Sequence, residues 1–134
     1  MNLFLVDCKE NYWEFVRQLR TNPLTQNGFF SKVSITPKDQ IKYMKNNFQK
    51  YKICLYNNIP VGYIGTPDNE HIVYCVSPKF QGKGIGTYLV ENFCKKYKNL
   101  KAKVKFDNVA SQKVFEKLKF KKEKNGKDYI CYTQ

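Results

Sequence analysis

A chain of 134 residues with 42% hydrophobic and 16% aromatic content can bury an ordinary core, which excludes intrinsic disorder and predicts one domain over residues 1–134. No charged segment followed by an apolar one opens the chain and no run approaches about 18 apolar residues, so neither a secretory leader nor a membrane span is expected, and a cytoplasmic location is. The formal charge of +13 invites nucleic acid as a partner, yet Lys101, Lys103 and Lys105 alternate with Ala102, Val104 and Phe106 like the wet side of a strand, so a solvated face is expected first, attraction of small anions second and a nucleic-acid surface last.

The first strand is predicted at 2–6. Asp7 and Glu10 make a capping-box pattern ahead of a helix carrying Tyr12, Phe15, Val16 and Leu19, with Trp13 near its apolar face, and Asn22-Pro23 ends it. A loop through Gly28 leads to Thr36-Pro37, an N-cap and first-turn proline for a helix with Ile41, Met44 and Phe48 on one face. Strands at 51–56 and 61–65 fold back about Asn57-Asn58. The turn Pro67-Asp68-Asn69 precedes a strand at 71–76, and the glycine-dense stretch at 78–90 passes into a helix with Ile85, Leu89, Phe93 and Tyr97 at four-residue spacing. A strand at 100–106, a helix from Asn108 to about Leu118, and a hairpin of 120–124 with 129–132 about Asn125-Gly126 complete the chain. The order is β-α-α-β-β-β-α-β-α-β-β, an α/β chain of α+β type. Five widely spaced cysteines without a Cys-x-x-Cys pair, and His71 as the only histidine, give neither a disulfide framework nor a metal site.

Glycines at 82, 84 and 86 let a strand-to-helix turn approach an anion closely, and the helix that follows offers unpaired N–H groups and its positive dipole end. The spacing lacks the Gly-Lys-Ser/Thr ending of a P-loop and the third glycine of a dinucleotide fingerprint. What remains, Gln81-x-x-Gly84-x-Gly86 after Val76-Ser77-Pro78, resembles the acetyl-CoA signature of the GCN5-related N-acetyltransferases. A second segment, Asn108-Val-Ala-Ser111-Gln-Lys-Val-Phe115-Glu-Lys-Leu-Lys-Phe120, is similar to that family's Asn-x-x-Ala/Ser-x-x-x-Tyr/Phe-x-x-x-Gly-Phe. The resemblance implies that family's fold, a mixed and mostly antiparallel central sheet flanked by helices, with the fourth and fifth strands splayed around the coenzyme.

It also implies roles. The backbone of Tyr74 and Val76 would bond the pantetheine, and the loop Gln81, Gly82, Lys83, Gly84, Ile85, Gly86 and Thr87 would hold the pyrophosphate. Asn108 and Ser111 would contact the arm and phosphates, while Val114, Phe115 and Leu118 pack beside the thiol end. Two positions depart from the pattern. Lys119 replaces a glycine, and Phe115 replaces a tyrosine that protonates the departing thiolate, leaving water, the proton taken from the amine, or Tyr88, Tyr129 or Tyr132 for that task.

Transfer to an amine requires that the nitrogen lose a proton, and imidazole titrates in the right range. His71 lies five residues before Val76, where amino-sugar acetyltransferases of this superfamily often carry a catalytic glutamate; it is the expected base, with Glu70 in reserve on the other face. Cys75 reads as a small core residue. The stretch Phe15-Val-Arg17-Gln-Leu-Arg20-Thr-Asn22-Pro23, then Phe29-Phe30, is similar to the acceptor region of PseH-like amino-sugar-nucleotide N-acetyltransferases. Arg20 would grip a phosphate there and Phe29 or Phe30 would stack on a base, unless Arg20 merely terminates its helix. The expected function is therefore acetyl transfer from acetyl-CoA, without a metal, to a primary amine of a small molecule, a nucleotide-linked amino sugar first. A protein or peptide amine, and a non-catalytic acyl-CoA- or nucleic-acid-binding module, remain as alternatives, and a homodimer is compatible with the sequence.

Overall fold

In the computed structural model, which describes residues 2–26, 28–30 and 32–134 and only the main chain of Lys124 and Asn125, the strands form two antiparallel sheets. The first joins β1 (Leu3–Asp7), β2 (Tyr51–Tyr56), β3 (Ile59–Gly65) and β4 (Val73–Val76) in that order. The second has β5 (Lys101–Lys105), then β7 (Tyr129–Thr133), then β6 (Lys121–Asn125). Asn57 and Asn58 both take left-handed φ, 50° and 65°, the backbone of a tight turn whose twist suits the β2–β3 hairpin.

The helices are α1 (Trp13–Thr21), the single turn α2 (Pro23–Gln26), α3 (Pro37–Asn47), α4 (Ile85–Lys96) and α5 (Val109–Lys117). Asn22-Pro23 does end α1, but it also starts α2, because Asn22 Oδ1 accepts the Leu24 N–H at 2.9 Å. At α3 the Thr36 hydroxyl accepts from Asp39 N–H and the Asp39 carboxylate accepts from Thr36 N–H, with Pro37 in the first turn. The expected box at Asp7 and Glu10 is absent: Asp7 Oδ1 accepts from Lys52 Nζ at 2.6 Å, and a 3-10 turn at Glu10–Tyr12 precedes α1. No helix among the described residues is long and apolar enough to cross a membrane.

Two cores sit on opposite faces of the first sheet. Against one face, Trp13, Val16 and Leu19 of α1 and Met44 of α3 pack on Tyr51, Ile53, Tyr63 and Cys75. Against the other, Ile85, Leu89, Val90 and Phe93 of α4 pack on Val61, Ile64 and Val76, and this core continues through Phe115 into the second sheet at Ala102, Val104 and Tyr132. On α3 the inward residue is Gln40, 2% exposed and donating to Trp13 C=O at 2.8 Å, whereas Ile41 is 43% exposed. The apolar stripe read for this helix therefore holds at Met44, which is buried, and at Phe48, which packs against the same core, and fails at Ile41, whose inward place Gln40 takes.

The end of α5 explains Lys119. Lys119 has φ 62°, its N–H donates to Glu116 C=O and Phe120 N–H donates to Phe115 C=O, both at 3.0 Å, which is a Schellman closure built with lysine where glycine is favoured. Lys119→Gly is expected to stabilise the protein by about 1 kcal/mol, read as a raised denaturation midpoint with unchanged slope.

Candidate active site

The sheets meet at one place. His71 bridges Lys101 in parallel, with Ile72 N–H donating to Lys101 C=O at 2.8 Å and Lys101 N–H donating to Glu70 C=O at 2.9 Å. Beyond it β4 and β5 diverge, so the strand expected at 71–76 becomes a bridge at its start and a ladder only from Val73. Because Ser77 N–H donates to Val61 C=O at 2.8 Å, antiparallel alternation turns the amides of Val73 and Cys75 toward β3 and those of Tyr74 and Val76 into the gap. A cavity of about 820 Å³ fills this gap and opens to both faces of the first sheet.

On the α4 side, Gln81, Gly82, Gly84, Ile85, Gly86 and Thr87 line the cavity. Gly82 and Gly84 have φ of 76° and 82°, and a Cβ on either would point into open space. Gly84 is the N-cap of α4 and supplies no side-chain cap, so the first amides of that helix are left for an anion. These residues fit a phosphate group. Gln81 Nε2 donates to Val76 C=O at 3.2 Å, which ties the loop to the strand. Lys83 differs from the other expected coenzyme residues: its side chain is exposed and outside the cavity, since the two left-handed glycines turn it outward.

Asn108 Oδ1 caps α5 by accepting Ser111 N–H at 3.1 Å, and its Nδ2 lies 3.3 Å from where a Cβ on Gly28 would stand, so the segment after α2 closes over this end of the gap. Ser111 Oγ is 2.7 Å from the Tyr74 hydroxyl, linking α5 to β4 across the cavity, a contact invisible to motif reading. Phe115 is 1% exposed, stacked on Tyr132 and edge-on to Tyr74 and Phe120. None of the three phenols considered for protonating a thiolate lines the cavity. Tyr88 donates to Leu3 C=O, Tyr132 donates to Glu116, and Tyr129 sits edge-on to Phe30.

On the α1 side, the cavity is walled by Arg20, Thr25, Phe29, Phe30, Tyr51, Tyr63 and Cys75. The Arg20 guanidinium has no hydrogen-bond or ion-pair partner among the described residues. Burial pushes the Tyr51 and Tyr63 phenols up, and the Arg20 charge works against it at both. Burial likewise pushes the Cys75 thiol up to about 12, which leaves it protonated and unreactive at neutral pH. Cys75→Ser should accordingly keep turnover within about threefold of the parent, at a stability cost of about 1 kcal/mol, measured on the folded fraction.

His71 lines the cavity at the bridge between the two ends. Its Nδ1 lies 2.7 Å from Asp68 Oδ2, and Asp68 Oδ1 accepts the N–H groups of His71 at 2.7 Å and Glu70 at 2.9 Å. Burial raises the Asp68 carboxyl, but those two amides and the imidazole outweigh it and hold the group at about 2. Being lowered from 3.8, it supports the turn fully above about pH 4, and that support is lost as pH falls through about 2. Glu70 does not line the cavity: it pairs with Lys101 Nζ at 3.2 Å, and its other oxygen stands 3.9 Å from His71 Nδ1, so alternation does not carry it away from the ring. Asp68 was read only as a turn residue; the signal for more was its place three residues before the histidine.

The family model for the acetyltransferase (GNAT) family matches residues 13–120. Among solved structures, the chain is similar to a domain from Methanocaldococcus jannaschii DSM 2661, with 23% identity, a TM-score of 0.77, and 99% of this chain and 97% of that one covered. It is also similar to an N-acetyltransferase from Staphylococcus aureus Mu50, with 16% identity, a TM-score of 0.82, and coverage of 100% and 98%. A spermidine N-acetyltransferase from Vibrio cholerae, in complex with CoA and spermine, aligns with 13% identity, a TM-score of 0.80, and coverage of 98% and 92%. At these identities the structures carry the fold. No match was found among curated proteins.

Proposed function

The chain belongs to the acetyltransferase (GNAT) family and is an acetyl-CoA-dependent N-acetyltransferase, and from that premise we propose that its acceptor is the primary amine of a small anionic molecule, a nucleotide-linked amino sugar first. The observation that carries this reading is the partnerless Arg20 guanidinium in the wall of the cavity, since a part-buried charge of this kind calls for an anion. Its setting agrees: Arg20, Lys103, Lys113 and Lys117 line the cavity against Asp68 as the acidic residue. Phe29 and Phe30 stand beside Arg20 as surfaces for a base or sugar.

Acetyl-CoA supplies the acyl group as a thioester. In this reading the α4 amides from Gly84 onward take its pyrophosphate, and the Tyr74 and Val76 strand edge bonds its arm. His71, with Nδ1 engaged by Asp68, presents Nε2 to the acceptor and removes its proton as the C–N bond forms and the C–S bond breaks. Phe115 has no proton to give, so the thiolate takes one from the imidazolium or from water. The five free cysteines suit a reducing compartment, the cytoplasm.

Matched acceptors with and without a pyrophosphate test the reading. Arg20→Met should raise KM for the anionic acceptor by about 10- to 100-fold while leaving the neutral one unchanged. Equal effects on both would make Arg20 a structural residue. A peptide amine is the second reading, favoured by Leu24, Phe30 and Val73, which are exposed at the cavity.

A further inference from the structure

We propose that Asp68 is the positioning carboxylate of His71, holding the imidazole with its proton on Nδ1 so that Nε2 faces the cavity as the basic atom. The inference rests on His71 as the base. Its observation is the way one carboxylate is used. Oδ1 takes two consecutive backbone amides, from Glu70 and His71, and Oδ2 takes the His71 ring. The amides fix the carboxylate before the ring arrives, so ordering the ring costs little further side-chain entropy. A carboxylate is acceptor-only, and its partner must be the ring's N–H; Nε2 has no hydrogen-bond partner among the described residues. The backbone of His71 is itself anchored, since residues 70 to 72 bond Lys101 on β5. Ring and carboxylate therefore sit on the hinge where the two sheets part, at the cavity both line.

The surrounding charges do not supply the same function. Glu70 Oε2 is 3.9 Å from Nδ1, outside hydrogen-bond range, and Glu70 is drawn off by Lys101. Arg20, Lys103 and the phenols of Tyr51, Tyr63 and Tyr74 share the cavity with the ring, and none of them offers it a carboxylate. Asp68 is thus the group whose ionised oxygen favours the proton transfer at Nε2 through the ring. The Asp68 carboxyl, held at about 2, stays ionised throughout the range in which an imidazole titrates.

The variant is Asp68→Asn, which keeps an oxygen for the two amides and replaces the ring's acceptor with an NH₂ group. Because the chain contains one histidine, long-range nitrogen–proton NMR reads its tautomer and titration without assignment. The parent protein should show the Nδ1–H tautomer, and Asp68→Asn should shift it toward Nε2–H. With an acceptor in hand, kcat should fall by about 10- to 100-fold with acetyl-CoA KM unchanged. Asp68→Glu, which keeps the charge, should retain the parent's tautomer. An unchanged tautomer in folded Asp68→Asn would overturn the proposal, even if His71 proved to be the base. A fully active His71→Gln protein would instead remove the base assignment while leaving the NMR coupling between the two residues as measured.

Discussion

His71→Gln is expected to lower turnover by about 10²-fold or more while changing acetyl-CoA affinity by less than about threefold. Glutamine fills similar space and can still donate to Asp68, so the Asp68 turn, anchored by the Glu70 and His71 amides, persists. What is lost is the basic nitrogen. The amides proposed to take the phosphate lie at the start of α4, and no hydrogen bond among the described residues ties them to the imidazole. The loss should therefore appear in kcat at saturating acetyl-CoA and diminish as pH rises and more of the acceptor is already neutral. A variant at full speed would show that water alone deprotonates the acceptor and that His71 serves only the bridge to Lys101.

The second large effect is expected at the loop. Gly84→Val should weaken acetyl-CoA binding by about 10²-fold, measured calorimetrically, with kcat at saturation changed far less. Gly84 has φ 82°, a conformation that costs a branched side chain about 1–2 kcal/mol, and it is the N-cap that begins α4. A Cβ added at Gly84 points into open space, away from the rest of the fold. Its bulk stands in the space a phosphate would use. Unaltered binding in a folded Gly84→Val protein would mean that the coenzyme phosphates are held elsewhere.

The features legible in the sequence are those written locally. The Asn57-Asn58 turn, the Thr36–Asp39 cap and the glycine loop each depend on a few consecutive residues whose backbone preferences decide the outcome. Alternation along β5 is likewise local, with Ala102 and Val104 buried beside exposed Lys101 and Lys103, but it stops with the strand at Lys105, and Phe106, expected on the buried side, is exposed. Tertiary competition decided the rest. Asp7 gives its carboxylate to Lys52 across a strand pair and so caps no helix. Gln40 is drawn inward because Trp13 has a backbone carbonyl to satisfy, and Ile41 is turned out. At the site, the glycine loop is legible in its own residues, whereas the parting of β4 from β5 is expected only through the family resemblance, because it depends on a bridge between residues 30 positions apart. The pairing of Tyr74 with Ser111 spans a similar separation. Asp68 lay close to His71 in sequence, and only the turn geometry shows that its second oxygen meets the ring.

The most direct test is to incubate the protein with acetyl-CoA and a panel of amines, led by UDP- and dTDP-linked amino sugars and including polyamines and acidic peptides, and to follow the gain of one acetyl group by mass spectrometry. Mass detection avoids a thiol reagent, whose signal the half-buried Cys131 would confound. Acetylation of an anionic sugar nucleotide in preference to its neutral amino sugar is the predicted result. Transfer to neutral amines or peptides alone, with the sugar nucleotides untouched, would contradict it.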